Sequence, residues 1–433
     1  MMETKISYND CLDTMFAFGR FGIVLGLETI CAILEKLGNP HNSFKSIHIA
    51  GTNGKGSVAS ALSSILAASG YRVGLYTSPH LIHFNERICI DNQPISNDEV
   101  VDAYIAVDKW NNGKRKATFF ELATAMAFYE FARKNVEWAV IETGMGGRLD
   151  ATNIITPEIS VITNISIEHK MYLGNTISKI AGEKGGIIKK GRPVVTGVRQ
   201  RDAIQTLDTI SENKHAPIFR LGKDFKTRKN RNHTFTYFGM NETLKNMETG
   251  LLGNYQIDNA GLTIAVCELL NQSGTLLPSE KIREGLKKNC WPGRLETISD
   301  APLVFVDGAH NLSAIRNLKR FLSENTDSEK LTLIIGILDD KPYVQMLNIL
   351  LPACNRVIIT KPDSERSTEP EILFNTAKTI SENVTIKNSV KEALEYALET
   401  TRPDEAICIA GSLYLVGEAK AIMAGISKKR CSF

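Results

Sequence analysis

Apolar positions along this chain follow two alternating patterns. Short, largely apolar runs read as buried strands at residues 47–50, 72–76, 88–90, 138–141 and 159–162 and at Val194-Val195. Apolar residues at three- and four-residue spacing read as helices at 28–37, 118–134 and 254–270, and from Ile177. Residues 8–37 are helical in pattern but interrupted at Gly19-Arg20-Phe21-Gly22, and the helix ending near Leu37 is stopped by Gly38 and Pro40. Strands alternating with helices predict a mostly parallel sheet covered on both faces. Residues 220–250 are polar, and the alternation of Phe235 and Tyr237 predicts a small antiparallel excursion. Trp291-Pro292-Gly293-Arg294 punctuates the chain as a linker would. Beyond it, strands at 303–307, 331–335, 356–360 and 406–410 predict a second, smaller doubly wound sheet.

The strand at 47–50 runs into Gly51-Thr52-Asn53-Gly54-Lys55-Gly56-Ser57, and a helix follows to about Ser69, stopped by Gly70. Strand, glycine-spaced turn and helix N-terminus together favour an anion, because unpaired N–H groups and the positive helix end point at one place. Lys55 can reach terminal phosphates, and Ser57 can bond a phosphate or ligate Mg²⁺. The fit to the general phosphate loop, G-x-x-x-x-G-K-[ST], is imperfect: Ile49 stands at the first glycine and Gly56 at the hydroxyl, so Ser57 comes one residue late. The bland alternative is a glycine-rich turn that binds nothing.

Length and composition narrow the class. A chain of 433 residues is too long for one core, so two domains are expected. A hydrophobic fraction of 43%, a charged fraction of 23% and a net charge of +3 suit a globular enzyme without a nucleic-acid partner. The densest basic run, Lys226-Thr227-Arg228-Lys229-Asn230-Arg231, reads as a solvated hairpin. Eight cysteines without C-x-x-C or metal-like spacing fit reduced thiols. Met1-Met2-Glu3-Thr4-Lys5 leads into no apolar signal core, and no apolar run approaches the ~20 residues of a membrane helix. A cytoplasmic, monomeric enzyme acting on small molecules is expected. The fold class is α/β: an N-terminal P-loop-type ATPase domain on a mostly parallel sheet (1–292), a linker (293–298) and a smaller Rossmann-like C-terminal domain (299–433).

Polar residues stand where strands of the first sheet end: Ser78, Glu142 and His169. Ligands of open parallel sheets bind at such ends. Hard cations want oxygen, and Mg²⁺ takes one or two carboxylates plus phosphates, which makes Glu142 the carboxylate candidate. Taken singly, Ser78 reads as a turn residue, His169 as a loop hydrogen-bonder, and Phe119-Phe120 as helix-core packing.

Several motifs in order carry a family resemblance. Gly51 to Ser57, Thr77-Ser78-Pro79-His80-Leu81 and Phe84-Asn85-Glu86-Arg87-Ile88 resemble the folylpolyglutamate synthase/dihydrofolate synthase family of the Mur ligase superfamily. The likeness continues from Glu142 to Asn153, at Ile180-Ala181-Gly182-Glu183-Lys184-Gly185-Gly186-Ile187, at Gly293-Arg294-Leu295-Glu296, at Asp307-Gly308-Ala309-His310-Asn311 and from Gly411 to Gly417. The resemblance implies an ATP-dependent amide ligase joining L-glutamate to dihydropteroate, folyl-(poly)glutamate or both through an acyl phosphate. It implies phosphate contacts at Gly54, Lys55, Gly56 and Ser57, further ATP contacts at Asn259, Arg294 and Asp307, and Mg²⁺ ligands at Ser78, Glu142 and His169. Because Arg294 and Asp307 lie at or beyond the linker, ATP is expected between the domains. Lys184 matches a lysine carbamylated in the family. The catalytic set would be Lys55, Lys184 and His310, with glutamate held by Arg87, His310 and Ser412. The pterin side would comprise Leu25, Thr118, Phe119, Phe120, Leu149, Asp150 and Ala151. Departures from the family pattern are Glu168 for Asp, Gly185 for Ala, Tyr255 for His and Pro342 for an acidic residue. Two rivals share these features: a Mur-type ligase acting on a UDP-sugar peptide, and a non-ligase nucleotide switch. A guanine switch wants Asn-Lys-x-Asp, which Thr163-Asn164-Ile165-Ser166 does not supply.

Overall fold

The computed structural model describes residues 6–19 and 24–425. The expected break at Gly19-Arg20-Phe21-Gly22, apart from Gly19, and the stretch Met1 to Lys5 lie outside the described residues. The chain forms two units. One holds residues through His80, Phe84–Gly250 and Gln256–Cys290; the other holds Leu81–His83, Leu251–Tyr255 and the residues from Trp291 on.

The first unit is built on eight strands: β1 (Lys45–Ala50), β2 (Val73–Tyr76), β3 (Ile88–Ile90), β4 (Gln93–Pro94), β5 (Trp138–Glu142), β6 (Ile159–Ile162), β7 (Val194–Thr196) and β8 (Ile218–Arg220). Their order is β4-β3-β2-β5-β1-β6-β7-β8. All pairings from β2 to β8 are parallel; β3 and β4 add an antiparallel hairpin at one edge. Its turn is Asp91-Asn92, both at positive φ, as two-residue hairpins require. β5 and β6 are buried at every position, and β1 at every position after Lys45, because helices cover both faces. That is why these strands read as largely apolar runs rather than as alternating ones.

The helices of this unit are α1 (Tyr8–Gly19), α2 (Glu28–Lys36), α3 (Lys55–Ala68), α4 (Asn97–Asp108), α5 (Phe119–Arg133), α6 (Lys170–Leu173), α7 (Ile177–Gly185), α8 (Arg201–Asn213), α9 (Tyr255–Gln272) and α10 (Ser279–Lys288). Met15, Ile30, Leu34, Val100 and Phe128 of α1, α2, α4 and α5 share one core with Tyr76 and Ile141. Ile180 and Leu207 of α7 and α8 share another with Ile162. The expected antiparallel excursion is a three-stranded sheet of β9 (Lys226–Lys229), β10 (Phe235–Phe238) and β11 (Thr243–Met247). It is latched to α9 by Glu268, whose carboxylate accepts from Tyr237 Oη at 2.6 Å and from the backbone N–H groups of Met240, Asn241 and Glu242. The basic run lies largely on β9, an exposed edge strand.

The second unit is a six-stranded sheet of β12 (Glu296–Asp300), β13 (Leu303–Asp307), β14 (Leu331–Ile335), β15 (Arg356–Thr360), β16 (Val384–Lys387) and β17 (Ala406–Ala410), ordered β12-β13-β17-β14-β15-β16. Only β12 runs antiparallel. Helices α11 (Leu312–Asn325), α12 (Tyr343–Leu350), α13 (Pro370–Lys378), α14 (Val390–Thr400) and α15 (Leu413–Met423) pack on it. The stretch expected as a linker, 293–298, is a strand from Glu296 on, and β16 is a further strand not expected. Both are edge strands, polar or half-exposed, and lack the apolar run by which a buried strand is recognised. Leu81, flanked in sequence by first-unit residues, packs in the core of this unit with Val304, Ile409 and Val416.

Candidate active site

The carboxyl ends of β2, β5, β1 and β6 stand side by side, since these four parallel strands are consecutive in the sheet. The phosphate loop leaves β1 at this edge. Gly51 and Gly54 carry φ of +153° and +85°, and a Cβ at Gly54 would sit 2.7 Å from Asn259 Oδ1. Both positions therefore demand glycine. The segment after β6 braces the loop: Thr52 N donates to Asn164 O at 2.9 Å, Asn53 N to Asn164 Oδ1 at 3.0 Å, and Thr163 Oγ1 to Asn53 O at 2.7 Å. From α9, Asn259 Nδ2 donates to Gln256 Oε1 at 2.8 Å and Gln256 Nε2 to Ser57 Oγ at 3.3 Å. Asn259 thus stands against the loop.

Lys55 opens α3, with Nζ 3.7 Å from Glu142 Oε1 and donating to Thr52 O at 3.4 Å. Glu142, buried at the end of β5, accepts from Ser78 N at 3.2 Å through its other oxygen. The structure therefore brings Lys55, Ser78 and Glu142 together. His169 is exposed, at φ +44° before α6, and follows Glu168 directly. Among the described residues no group of three His, Cys, Asp or Glu side chains forms a metal cluster.

Lys184 is 1% exposed on α7. Its Nζ donates to Gly51 O and to Glu168 Oε1, each at 2.8 Å. Burial pulls its pKa down from 10.5 to about 8, with Glu168 opposing the drop. Lys184 and Lys55 hold the Glu168 carboxyl below its usual range, although burial opposes them.

On the expected pterin side, Thr118 caps α5 and forms a capping box with Glu121. Phe119 is buried, stacked on Phe16 at 5.3 Å between centroids and edge-on to Phe84 at 6.0 Å, so its ring is a core residue. Phe120 is half-buried beside Tyr76 and closes on Gly144, where a Cβ would meet its ring at 2.5 Å. Leu25 is 40% exposed. Asp150 is buried, accepting from Met145 N at 2.8 Å and from Thr152 N and Oγ1 at 3.1 and 2.5 Å. It braces the turn that carries Leu149, which is half-buried, and Ala151, which is buried; burial raises its pKa against these hydrogen bonds. Arg87 is buried, donates from Nε to His80 Nδ1 at 2.7 Å and lies over the Phe119 ring at 5.0 Å.

In the second unit, Asp307 ends β13 and accepts from Leu295 N and Ala309 N, each at 2.9 Å. Burial raises its carboxyl, and Arg294 opposes that rise. His310 Nδ1 lies 2.8 Å from Gly308 O. Ser412 is buried and caps α15, its Oγ accepting from Leu415 N at 3.1 Å. Not singled out from the sequence were Asn164, Gln256 and the Glu168 carboxylate partner of Lys184. Only Glu168, a departure from the family pattern, carried any signal.

Comparison with known proteins agrees with this geometry. The Mur ligase middle domain matches residues 49–267, and the Mur ligase glutamate ligase domain matches residues 293–413. The fold is thus that of an ATP-dependent Mur-type ligase. A folylpolyglutamate synthase of Lacticaseibacillus casei is 36% identical over 97% of this chain and 99% of its own. A dihydrofolate synthase/folylpolyglutamate synthase of Bacillus subtilis is 34% identical over 96% and 98%. The structure of E. coli FolC in complex with DHPP and ADP superposes with a TM-score of 0.90 at 26% identity, covering 97% of this chain and 98% of that one. The chain belongs to the folylpolyglutamate synthase/dihydrofolate synthase family. Among the described residues no helix is long and apolar enough to cross a membrane.

Proposed function

We propose that this protein joins L-glutamate to dihydropteroate and extends folates by further glutamates, in both cases through an acyl phosphate. The observation that carries the reading is Lys55 beside Glu142 at the mouth of the phosphate loop, at a sheet edge shared with Ser78. A free carboxylate does not acylate an amine, because oxide is a very poor leaving group. In the proposed reaction a substrate carboxylate oxygen attacks the γ-phosphorus of ATP and ADP departs. The glutamate amine then attacks the acyl carbon, and phosphate leaves carrying the former carboxylate oxygen. Lys55 and the loop N–H groups neutralise charge on the transferring phosphoryl group.

Ser78 and Glu142 offer the hydroxyl and carboxylate oxygens that Mg²⁺ prefers, and His169 completes the set implied by the family resemblance. Mg²⁺ would supply Lewis-acid stabilisation of the phosphoryl group there. Carbamylation of Lys184 fits its buried, depressed amine, since only the neutral amine adds CO₂. The further assignments stay as the resemblance implies: Gly54, Gly56, Ser57, Asn259, Arg294 and Asp307 to ATP; Arg87, His310 and Ser412 to glutamate; Leu25, Thr118, Phe119, Phe120, Leu149, Asp150 and Ala151 to the pterin. A monomer working in the cytoplasm completes the proposal.

The test is isotope transfer. With ¹⁸O in the carboxylate of dihydropteroate, one ¹⁸O should appear in the phosphate for each amide formed. Phosphate free of ¹⁸O would overturn the acyl phosphate.

A further inference from the structure

His48 is an anomaly in β1. Its neighbours Ile47, Ile49 and Ala50 are apolar, and it is itself wholly buried on a strand paired on both sides. A buried imidazole costs stability unless its polar atoms are used. Nε2 lies 2.8 Å from Thr152 Oγ1, and Nδ1 is buried without a hydrogen-bond partner. Thr152 Oγ1 in turn lies 2.5 Å from Asp150 Oδ1. The Thr152 hydroxyl has one proton. Asp150 takes donors from Met145 N and Thr152 N as well, a pattern suited to an ionised carboxylate, which only accepts. The Thr152 proton therefore points at Asp150, and its lone pair receives Nε2–H of His48. The ring is held as the neutral Nε2–H tautomer.

We propose that His48 and Thr152 are positioning residues that hold the 149–151 wall in register with the phosphate loop. The relay starts three residues before Gly51 and ends on the carboxylate that folds the Gly144–Asp150 turn. It thus joins the loop expected to bind nucleotide to the wall expected to meet the pterin, and in that second half it rests on the proposed function.

The test uses the full chain with Thr152→Val, which keeps shape and removes the hydroxyl, and Thr152→Ser, which restores it. Thr152→Val should raise KM for dihydropteroate about tenfold, equivalent to about 1.4 kcal/mol, while KM for ATP stays within about twofold. Thr152→Ser should behave as the unmodified protein. Equal changes in both KM values, or no change, would overturn positioning. Amide hydrogen exchange read at residues 144–153 provides an arm independent of turnover. Thr152→Val should speed exchange there while leaving the phosphate loop protected, and unchanged exchange would overturn the relay. ¹⁵N spectra of the His48 ring should show the Nε2–H tautomer, whereas the Nδ1–H tautomer would reverse the relay and contradict it. An unmodified protein inactive on every pterin would defeat the proposed function, while the exchange and ring spectra would still decide the relay.

Discussion

Lys184 reaches across from α7 to donate a 2.8 Å hydrogen bond to the carbonyl of Gly51, the first residue of the phosphate loop. A buried ammonium thus closes the loop from below while Glu168 neutralises it from the side. Removing the lysine leaves Glu168 without that partner. Because Glu168 is only partly buried and keeps Lys55 nearby, Lys184→Met should cost about 1–3 kcal/mol, the penalty of leaving a hydrogen-bonding group without its partner, measurable by denaturant unfolding.

The same burial sets a pH dependence. The folded amine loses its proton near 8, below the ordinary value of 10.5 kept by the unfolded chain. Between those values the unfolded state binds the extra proton, so the contribution of Lys184 to stability rises with pH. The neutral amine is a minority below about 8 and the majority above it. With ¹³C-bicarbonate, a carbamate signal should grow from pH 7 to 9 and be missing in Lys184→Met.

Lys55→Ala should reduce kcat by on the order of 10²–10³-fold, the usual cost of losing one electrostatic stabiliser of a transition state. Its Nζ makes a 3.7 Å ion pair, a long hydrogen bond and a longer-range attraction to Glu168, so the melting temperature should stay within a few degrees. Steady-state kinetics and thermal melts check both halves.

The candidate site residues are more legible in the sequence than the residues that surround them. Glycines, Lys55 and Glu142 are legible because chemistry at a strand end needs particular residue types at particular spacing. The neighbouring order of β2, β5, β1 and β6, which brings Ser78 to Glu142, is set by long-range pairing and leaves no local mark. The Lys184–Glu168 pair spans 16 residues and the His48–Thr152 contact 104, so neither shows in any local pattern. Phe119, which without the family likeness reads first as helix-core packing, stacks on Phe16, a long-range contact that no local pattern shows. The edge strands β12 and β16 escaped because polar half-exposed strands resemble loops.

Glu142→Gln keeps an acceptor for Ser78 N and removes the charge. The Mg²⁺ concentration for half-maximal rate should rise at least tenfold, with pterin KM little changed. A metal titration by initial rates measures this, and an unshifted curve would take Glu142 out of the metal site.

Phe120→Ala removes the ring that closes on Gly144 and Tyr76. Because Phe120 is only half-buried, about 2 kcal/mol of stability should be lost, less than for a core phenylalanine. Dihydropteroate ligation should suffer more than folate extension, read as the ratio of kcat/KM for the two substrates.

The most direct measurement is amide product from purified protein given ATP, Mg²⁺ and labelled glutamate, with dihydropteroate or tetrahydrofolate offered separately. Labelled product is expected from each pterin, with ADP release that requires both pterin and glutamate. Product from tetrahydrofolate alone would contradict dihydropteroate use and leave a polyglutamate synthase. ADP release indifferent to glutamate, with no amide from either pterin, would contradict the ligase itself.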